Sequence, residues 1–429
     1  MLKSFFLTSI VSYLVLGFTM LTSIVVARHY GPSGQGVLAA LILIPQMMIS
    51  YGDLGVSESI MYHLSNSYGK IVSFNKSIFL IFFETLFIML FGFTLYYLFF
   101  SYSEIEDSYA LGVIYLVLFY LNQVLTFISR GILDLKRYNV SLIISNLSLL
   151  LFILICSALD LPIRMVFVAY ILSSVFSVLY LLFSIKIPSV LGKKLIEYRV
   201  KDIYKYGFKT YAYKVLNSTE SQFDKFIIAS VLPKVQLGYY SVAVVLSSLL
   251  YLFVVRPISS IILPILNGVH ELKEKQTLIT LINKLIFWIG VLFSLVMLIF
   301  SKIFVELVYG VSYLPALVPL WILLIGVVLK APMSILAYYF KSIGLPEVMV
   351  KISIITVVLN VISGLLFIPR YGIIAAAIIS TISYTIYSIL LSRKYMKMTN
   401  KGLSEQYLFS QSEITLIKDY IISFNINSK

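Results

Sequence analysis

The chain contains 429 residues, of which 60% are hydrophobic and only 12% are charged. Soluble domains carry about 25% charged residues, so this composition excludes an ordinary soluble protein and makes lipid the solvent for most of the chain. The net charge of +14 does not indicate nucleic-acid binding, because the basic residues lie between apolar runs. The single cysteine, Cys156, excludes an internal disulfide framework.

Long apolar runs recur along almost the whole chain. A helix needs about 20 apolar residues to cross the hydrocarbon layer, where every backbone polar group must find an internal partner. The short alternating segments typical of a membrane barrel are absent from the sequence. The runs predict an all-α membrane protein with about twelve transmembrane helices, at 6–27, 37–63, 77–100, 109–129, 140–159, 163–185, 207–231, 239–266, 281–301, 313–338, 348–368 and 371–392.

The lysines and arginines predict the orientation of these helices, because cytoplasmic loops carry an excess of both residues. The first run lacks a convincing cleavage site, so we interpret it as a retained span. With the N-terminus inside, both termini are cytoplasmic and most loop cations fall on the inner side. The predicted outer segments carry only Arg28, Arg164, Lys234, Lys302 and Arg370.

A basic segment near 186–206 divides the predicted helices into two sets of six. It is either a plain charged linker or an amphipathic segment that contacts anionic lipid headgroups. We therefore predict an N-terminal lobe at 1–196, a C-terminal lobe at 197–395 and a cytoplasmic tail at 396–429. The tail could hold a further surface helix near 405–426.

The two sets of helices begin alike. The first set has Gly31-Pro32-x-Gly34-x-Gly36 between its first two helices, and the second has Pro233 and Gly238 at the equivalent place. We expect each glycine to end a tight hairpin just before the next helix. Because six is an even number, such a repeat has the same orientation in both lobes, which gives two pseudo-symmetric halves suited to alternating access.

Several short stretches, in this order and at these spacings, resemble one family. The sequence is similar to the bacterial polysaccharide and O-antigen lipid-linked oligosaccharide flippases of the multidrug/oligosaccharidyl-lipid/polysaccharide exporter superfamily, over residues 1 to about 395. One departure is Arg256, which stands before Pro257 where the family more often has a hydrophobic residue. The matching stretches are 27–36, 224–228, 238–243, 309–316, 344–346, Asn360 and 368–373.

The resemblance implies a MATE-like fold with two six-helix lobes around a central, often cationic, cavity. It implies a polyprenyl-pyrophosphate-linked oligosaccharide as substrate and the bacterial cytoplasmic (inner) membrane as location. Membrane lipids and other polysaccharide-assembly proteins are the implied partners, and nucleic acid is not among them. The surface product would be O-antigen (lipopolysaccharide), capsule or exopolysaccharide.

Charged side chains inside membrane helices are costly and usually face a bundle interior or a wet cavity. In the seventh predicted helix, polar residues recur at steps of three and four and so share one helical face. Lys214, Asn217 and Lys225 are candidate pyrophosphate ligands there, and Asp224 is a candidate gate. Local pairing, including an ion pair between Glu220 and Lys214, is the alternative.

Two further cations each stand just before a proline in the second lobe. Pro257 is predicted to kink its helix and free the carbonyl four residues earlier. Arg256 is then either a diphosphate ligand in a cavity wall or a structural side chain that binds the freed carbonyls. Lys330, before Ala331-Pro332, repeats the pattern and is a further candidate substrate ligand.

Acidic residues in the first lobe are candidates for energy coupling. Asp53 and Glu58, beside a glycine-interrupted part of the second predicted helix, could bind the H⁺ or Na⁺ that drives export. A packing or counter-ion role toward a cation of the second lobe is equally compatible with the sequence. Glu84 is expected near the inner surface, Tyr211 and Tyr338–Tyr339 are weak candidates for stacking on sugars, and no metal or other cofactor is predicted.

The predicted activity is therefore flipping of the lipid-linked oligosaccharide by alternating access, without an enzymatic reaction. Two alternatives remain. A cation-coupled multidrug exporter of the same fold should have an acidic cavity, whereas the second lobe here is rich in basic residues. A membrane polysaccharide polymerase should present a large outer loop, whereas every predicted outer loop is short.

Overall fold

The computed structural model describes residues 2–66, 71–72, 83–92, 94–95, 109–184, 195–196, 200–269, 271–400 and 402–410. Within these ranges the chain is almost entirely helical. Two strands of two residues pair in parallel, Ile71 opposite Leu195, a contact that the sequence did not predict. The elements are α1 Leu2–Gly52, α2 Val56–Asn66, β1 Ile71–Val72, α3 Phe83–Gly92, α4 Tyr109–Gly131, α5 Leu135–Ala158, α6 Ile163–Ser184, β2 Leu195–Ile196, α7 Val200–Val231, α8 Lys234–Leu250, a π-helical turn Tyr251–Val255, α9 Arg256–Gly268, α10 Leu272–Val308, a 3-10 turn Val311–Ala316, α11 Leu317–Ser342, α12 Glu347–Thr399 and α13 Leu403–Tyr407.

The predicted multi-pass membrane fold is confirmed. Among the described residues, eight helices or joined helices are long and apolar enough to cross a membrane. Two of them, α1 and α12, each contain two spans separated by a break at Gly31 and Gly372. The short apolar helix α3 and the more highly charged α7 fall on two further predicted helices, 77–100 and 207–231, but as described they are not among the eight.

The breaks in α1 and α12 depend on glycine. Gly31 has φ 66° and Gly372 has φ 67°, in the left-handed region that side chains disfavour. Pro32 follows Gly31 directly and occupies the first turn of the next helix, where its missing N–H is not needed. The second predicted helix therefore begins about five residues earlier than expected.

Gly36 and Gly238 do not end hairpins, so the predicted role of these two residues is wrong. Both lie inside helices, Gly36 in α1 and Gly238 in α8. A Cβ added at Gly36 would overlap the carbonyl of Lys234, and one added at Gly238 would overlap the carbonyl of Pro32. Because small residues let membrane helices approach to backbone contact, these glycines serve helix packing. We call this reciprocal pair the first glycine contact.

The structure contains two compact units. Unit 1 comprises Met1–Val242, Phe304–Pro315 and Gly364–Ile373, and in it α1 packs on α5 and α7, while α2 packs on α4 and α7. Unit 2 comprises Ala243–Ile303, Ala316–Ser363 and Ile374–Lys429. These units are groups of packed residues, and the division into lobes at 196/197 stays a prediction.

Unit 2 has an apolar core built from α9, α10, α11 and the second half of α12. Its largest fully buried side chains include Tyr339, Phe340 and Tyr395. The opposite side of α10 is an apolar stripe at steps of three and four residues, as expected for a helix that faces lipid. The exposed members of this stripe are Leu292, Leu295, Val296, Ile299 and Ile303.

The described part of the tail docks on unit 2. Trp288 donates a hydrogen bond to the carbonyl of Tyr407 at 2.9 Å, and Ser392 donates to the side chain of Gln406 at 2.5 Å. The buried amide of Asn283 lies 3.3 Å from the carbonyl of Gln406. The surface helix predicted near 405–426 falls mainly on residues outside the described ranges, and the helix seen here, α13, has five residues.

Candidate functional site

A polar network surrounds the break between α1 and α2. Leu54 and Gly55 both have positive φ, at 45° and 76°, so the chain leaves one helix and starts the next within three residues. Asp53 is fully buried, and its Oδ1 accepts from the amide of Ser57 at 3.2 Å and from the Ser57 hydroxyl at 2.6 Å. These bonds satisfy an N–H at the start of α2.

Lys214 of α7 donates to the second oxygen of Asp53, Oδ2. Its Nζ also lies 3.7 Å from Oε1 of Glu58, and the Lys214 side chain is 18% exposed. Asp53 thus acts as a counter-ion for a cation of the predicted second lobe, one of the two roles that the sequence left open. The pairing of Lys214 with Glu220 is not seen, and to bind pyrophosphate Lys214 would have to leave the two carboxylates.

The backbones also meet at this place. A Cβ added at Gly207 would lie 2.9 Å from the carbonyl oxygen of Gly55, and one added at Gly55 would overlap Gly207. We call this pair the second glycine contact. One helical turn further along α7, the hydroxyl of Tyr211 donates to the carbonyl of Tyr51 at 2.6 Å, and stacking of Tyr211 on a sugar stays a prediction.

Glu84 and Tyr120 continue the network into α3 and α4. Glu84 is 5% exposed, so its carboxyl group is buried in the protein. Its Oε2 accepts from the Tyr120 hydroxyl at 2.9 Å. Tyr120 was not among the predicted site residues. The sequence signal that could have identified Tyr120 is its position beside Asn122 and Gln123 in an apolar helix.

The other predicted residues of α7 do not share one environment. Asp224 is buried and accepts from the hydroxyl of Tyr240 in α8, a contact that joins the two helices of one hairpin. Lys225 Nζ lies 3.4 Å from the Gln222 side chain, and Asn217 is exposed. The substrate role of Lys225 and Asn217 and the gating role of Asp224 stay predictions.

A second group of candidates lies in unit 2, around Tyr251. The irregularity expected before Pro257 is present as the π-helical turn Tyr251–Val255, and Arg256 follows it with an exposed side chain. In α11, Lys330 lies 3.9 Å from the centre of the Tyr384 ring. Both cations interact electrostatically with Tyr251. Guanidinium and ammonium groups bind phosphate, and such rings can stack on sugars or hold cations.

Two details of this group differ from the sequence prediction. Pro332 lies inside an unbroken α11, so the proline pattern at Lys330 does not produce the irregularity seen at Pro257. Tyr338 lies near Tyr251, and its ring lies 4.6 Å from Nζ of Lys341. Tyr339 is buried, packing edge-on against Tyr395, so the suggestion that it contacts a sugar is wrong.

Comparisons with solved structures identify the fold of this protein. A structure titled "Lipid II flippase MurJ, inward closed conformation" is similar with a TM-score of 0.69 and 15% identity, covering 94% of this chain and 89% of that one. An inward-facing multidrug resistance MATE family transporter of the MOP superfamily gives 0.70 and 14%, covering 92% and 99%. An outward-facing one gives 0.61 and 13%, covering 92% and 95%. The chain has the membrane transporter fold that these proteins share.

The family follows from the sequence. A family model described as "Polysaccharide biosynthesis protein" matches residues 25–318, which is more than half of the chain. The protein belongs to this polysaccharide biosynthesis family. No curated protein matches the sequence.

Proposed function

We propose that the protein flips a polyprenyl-pyrophosphate-linked oligosaccharide across the bacterial cytoplasmic membrane for surface polysaccharide assembly. Such a head group is charged and rich in hydroxyls, and it would lose its water in the hydrocarbon layer at high cost. Family membership and the transporter fold support this class of activity. The sugar unit belongs to O-antigen, capsule or exopolysaccharide.

The cationic and aromatic group around Tyr251 carries the proposal. Lys330 lies over the ring of Tyr384, and Arg256 directly follows the π-helical turn that begins at Tyr251. Arg256 forms no ion pair with any described residue, so its guanidinium is available to a bidentate anion such as pyrophosphate. In this proposal Arg256 and Lys330 hold the pyrophosphate while the tyrosines contact the sugars.

The network around Asp53 supports ion coupling. Asp53 and Glu58 share Lys214, so an H⁺ or Na⁺ bound at these carboxylates would weaken the ion pair and release the Lys214 ammonium. We propose that Asp224 of α7 acts as a gate. Asn217 and Lys225 of the same helix are proposed to contact the substrate. Cytoplasmic termini are part of the proposal, because lysine and arginine are concentrated in the segments predicted to lie inside.

Complementation of a strain that lacks the gene tests the assignment. Arg256→Ala and Lys330→Ala should each lower surface polysaccharide at least tenfold at normal protein levels, because each removes a cation for the pyrophosphate. Lys302→Ala, which removes an exposed cation of α10, is the matched control and should export normally. Normal polysaccharide with both variants would refute the site.

One observation favours a second candidate, a cation-coupled drug exporter. Among the described residues, Asp53, Glu58 and Glu84 lie around one cation, Lys214, and acidic groups of this kind suit a cationic drug. This function predicts that deletion changes drug resistance and leaves surface polysaccharide intact. The opposite result supports the flippase.

A further inference from the structure

A cavity lies between α10 and the docked tail segment, residues 402–410. Its volume of about 330 Å³ lies at the lower end of the range of roughly 300–1,000 Å³ found for small-molecule sites. One wall consists of side chains from α10. The other consists of the docked segment, which Asn283 and Trp288 hold by hydrogen bonds to its carbonyls. Both walls belong to unit 2, so the cavity is a feature of one compact unit.

A cation and a carboxylate line this cavity from its two walls. Lys284 of α10 is 3% exposed, and its Nζ lies 5.8 Å from the centre of the Phe409 ring. Glu405 of the docked segment is exposed, and its Oε2 accepts from the amide of Gly402 at 2.8 Å. Because charges removed from water need partners of opposite charge or hydrogen bonds, a ligand that carries both signs would satisfy the two groups together.

Lys284 is the donor that α10 offers to a ligand in this cavity. Thr277 and Thr280 line the same wall, but each hydroxyl already donates to the carbonyl four residues earlier, at 3.0 Å and 2.6 Å. An ammonium carries three donors, so Lys284 can bind a ligand in addition to its contacts within the protein. Hydrogen bonds between ammonium and phosphate are charge-assisted and strong, and phosphate is the anion that a bilayer surface presents.

The face of α10 that lines the cavity continues into the apolar stripe of this helix. Steps of four residues lead from Lys284 to Trp288 and Leu292, which are 44% and 64% exposed. Residues four apart lie on the same face of a helix. The predicted hydrocarbon part of α10 is 281–301, so Lys284 lies near its end, at the depth where tryptophans are enriched and the headgroups begin. A molecule with its head in the cavity would therefore have apolar chains along the stripe.

We propose that the cavity binds a phospholipid of the cytoplasmic leaflet whose headgroup is phosphoethanolamine. Lys284 donates to the phosphate, Glu405 accepts from the primary ammonium, and the acyl chains lie along Trp288 and Leu292. A phosphoglycerol headgroup would leave Glu405 beside a second negative charge, and a choline headgroup has no N–H to donate to it. This lipid is held and not flipped, so the inference goes beyond the proposed function.

The bound headgroup would also hold the docked segment in place. Its phosphate binds α10 and its ammonium binds the segment 402–410, so one molecule joins the two walls. A ligand that binds only the folded state stabilises that state as its concentration rises. Phosphatidylethanolamine should therefore raise the melting temperature of the protein.

Thermal unfolding of the full-length protein in detergent tests the class of lipid. Phosphatidylethanolamine, phosphatidylglycerol and phosphatidylcholine with identical acyl chains are titrated in parallel. The first should stabilise the protein at a concentration roughly tenfold lower than the other two, as expected for one extra charge-assisted hydrogen bond. Equal midpoints for the three lipids would overturn the proposal. Inorganic phosphate alone should not displace the lipid, and displacement would overturn the lipid assignment in favour of free phosphate.

Two variants separate the roles of the two charges. Glu405→Gln changes an exposed side chain and should abolish the preference for phosphatidylethanolamine over phosphatidylcholine, while Lys284→Met should weaken binding of all three lipids roughly tenfold. Glu347→Gln and Lys302→Met change exposed charges elsewhere in the chain and should behave as the wild type. An unchanged lipid preference in Glu405→Gln would overturn the site, and this variant decides the question even where Lys284→Met does not fold.

Discussion

The two glycine contacts hold α1 and the α1–α2 break against α8 and α7 in different ways. Gly36 and Gly55 are 19 positions apart, which in a helix corresponds to roughly 28 Å, close to the roughly 30 Å of the hydrocarbon layer. Near the first contact the cations donate to neutral carbonyls, Arg28 to Val308 and Lys234 to Ala229. At the second contact a buried ion pair joins Lys214 to Asp53.

This difference indicates how each contact could open. The first glycine contact consists of packed backbone and neutral acceptors, so a change in protonation leaves its energy almost unchanged. The second depends on charges, and neutralising Asp53 would weaken it. The proposed ion-coupled transport requires at least one contact that responds to the ion, and the second contact has the groups for that role.

The largest effect is expected from Lys214→Ala, which would leave Asp53 as an unpaired buried charge. Removing one partner of a buried pair costs about 3–5 kcal/mol, and we expect a matching loss of thermal stability in detergent. The double variant Lys214→Ala/Asp53→Asn should recover most of it, because no uncompensated charge remains. Equal melting temperatures for single and double variants would show that the ion pair does not stabilise the second contact.

Gly238→Ala should come next, because the added Cβ overlaps the carbonyl of Pro32. Overpacking typically costs about 1–3 kcal/mol. Gly17→Ala in α1, where no other atom lies within 4 Å, is the matched control and should stabilise the protein by about 0.5–1 kcal/mol. If both changes shift the melting temperature alike, the first contact is not close-packed.

Gly207→Ala should destabilise less than Gly238→Ala does. The added Cβ would lie 2.9 Å from the Gly55 carbonyl oxygen, so a small shift of α7 relieves the overlap. We expect a loss of about 1 kcal/mol, measured by the same thermal assay. A loss larger than that of Gly238→Ala would reverse the predicted order of the two contacts.

The smallest effect is expected from Tyr211→Phe, which removes the hydrogen bond to the Tyr51 carbonyl. Net hydrogen-bond contributions are about 0.5–1.5 kcal/mol, so the melting temperature should fall slightly. Tyr371→Phe, at a tyrosine that is 66% exposed, is the control and should have no effect. Equal results for the two variants would remove Tyr211 from the second contact.

The helices could be predicted from the sequence because apolar length and loop charge are local properties. The glycines show where that reasoning stops. Gly36 and Gly238 have the composition of turn residues, yet they lie inside helices because two distant segments cross there. A neighbour far away in the chain decides which glycine ends a helix and which one packs against another helix.

The candidate site was predictable only in part for the same reason. Asp53 and Lys214 were each identified as costly charges in an apolar helix, but their pairing joins residues 161 positions apart. Glu84 was assigned to the inner surface because its sequence position gave no information about Tyr120. The polar stripe on α7 was also interpreted too simply, since Asp224 is buried while Asn217 is exposed.

The docked segment 402–410 has a practical consequence for work with this protein. Its carbonyls at Gln406 and Tyr407 are hydrogen-bonded by Asn283 and Trp288 of α10, so it forms part of the folded unit. A shortened version for crystallisation or microscopy should keep residues up to Ser410. An affinity tag or fluorescent reporter should likewise be joined after that position, since an earlier fusion point would expose the indole and amide groups that now hold the chain.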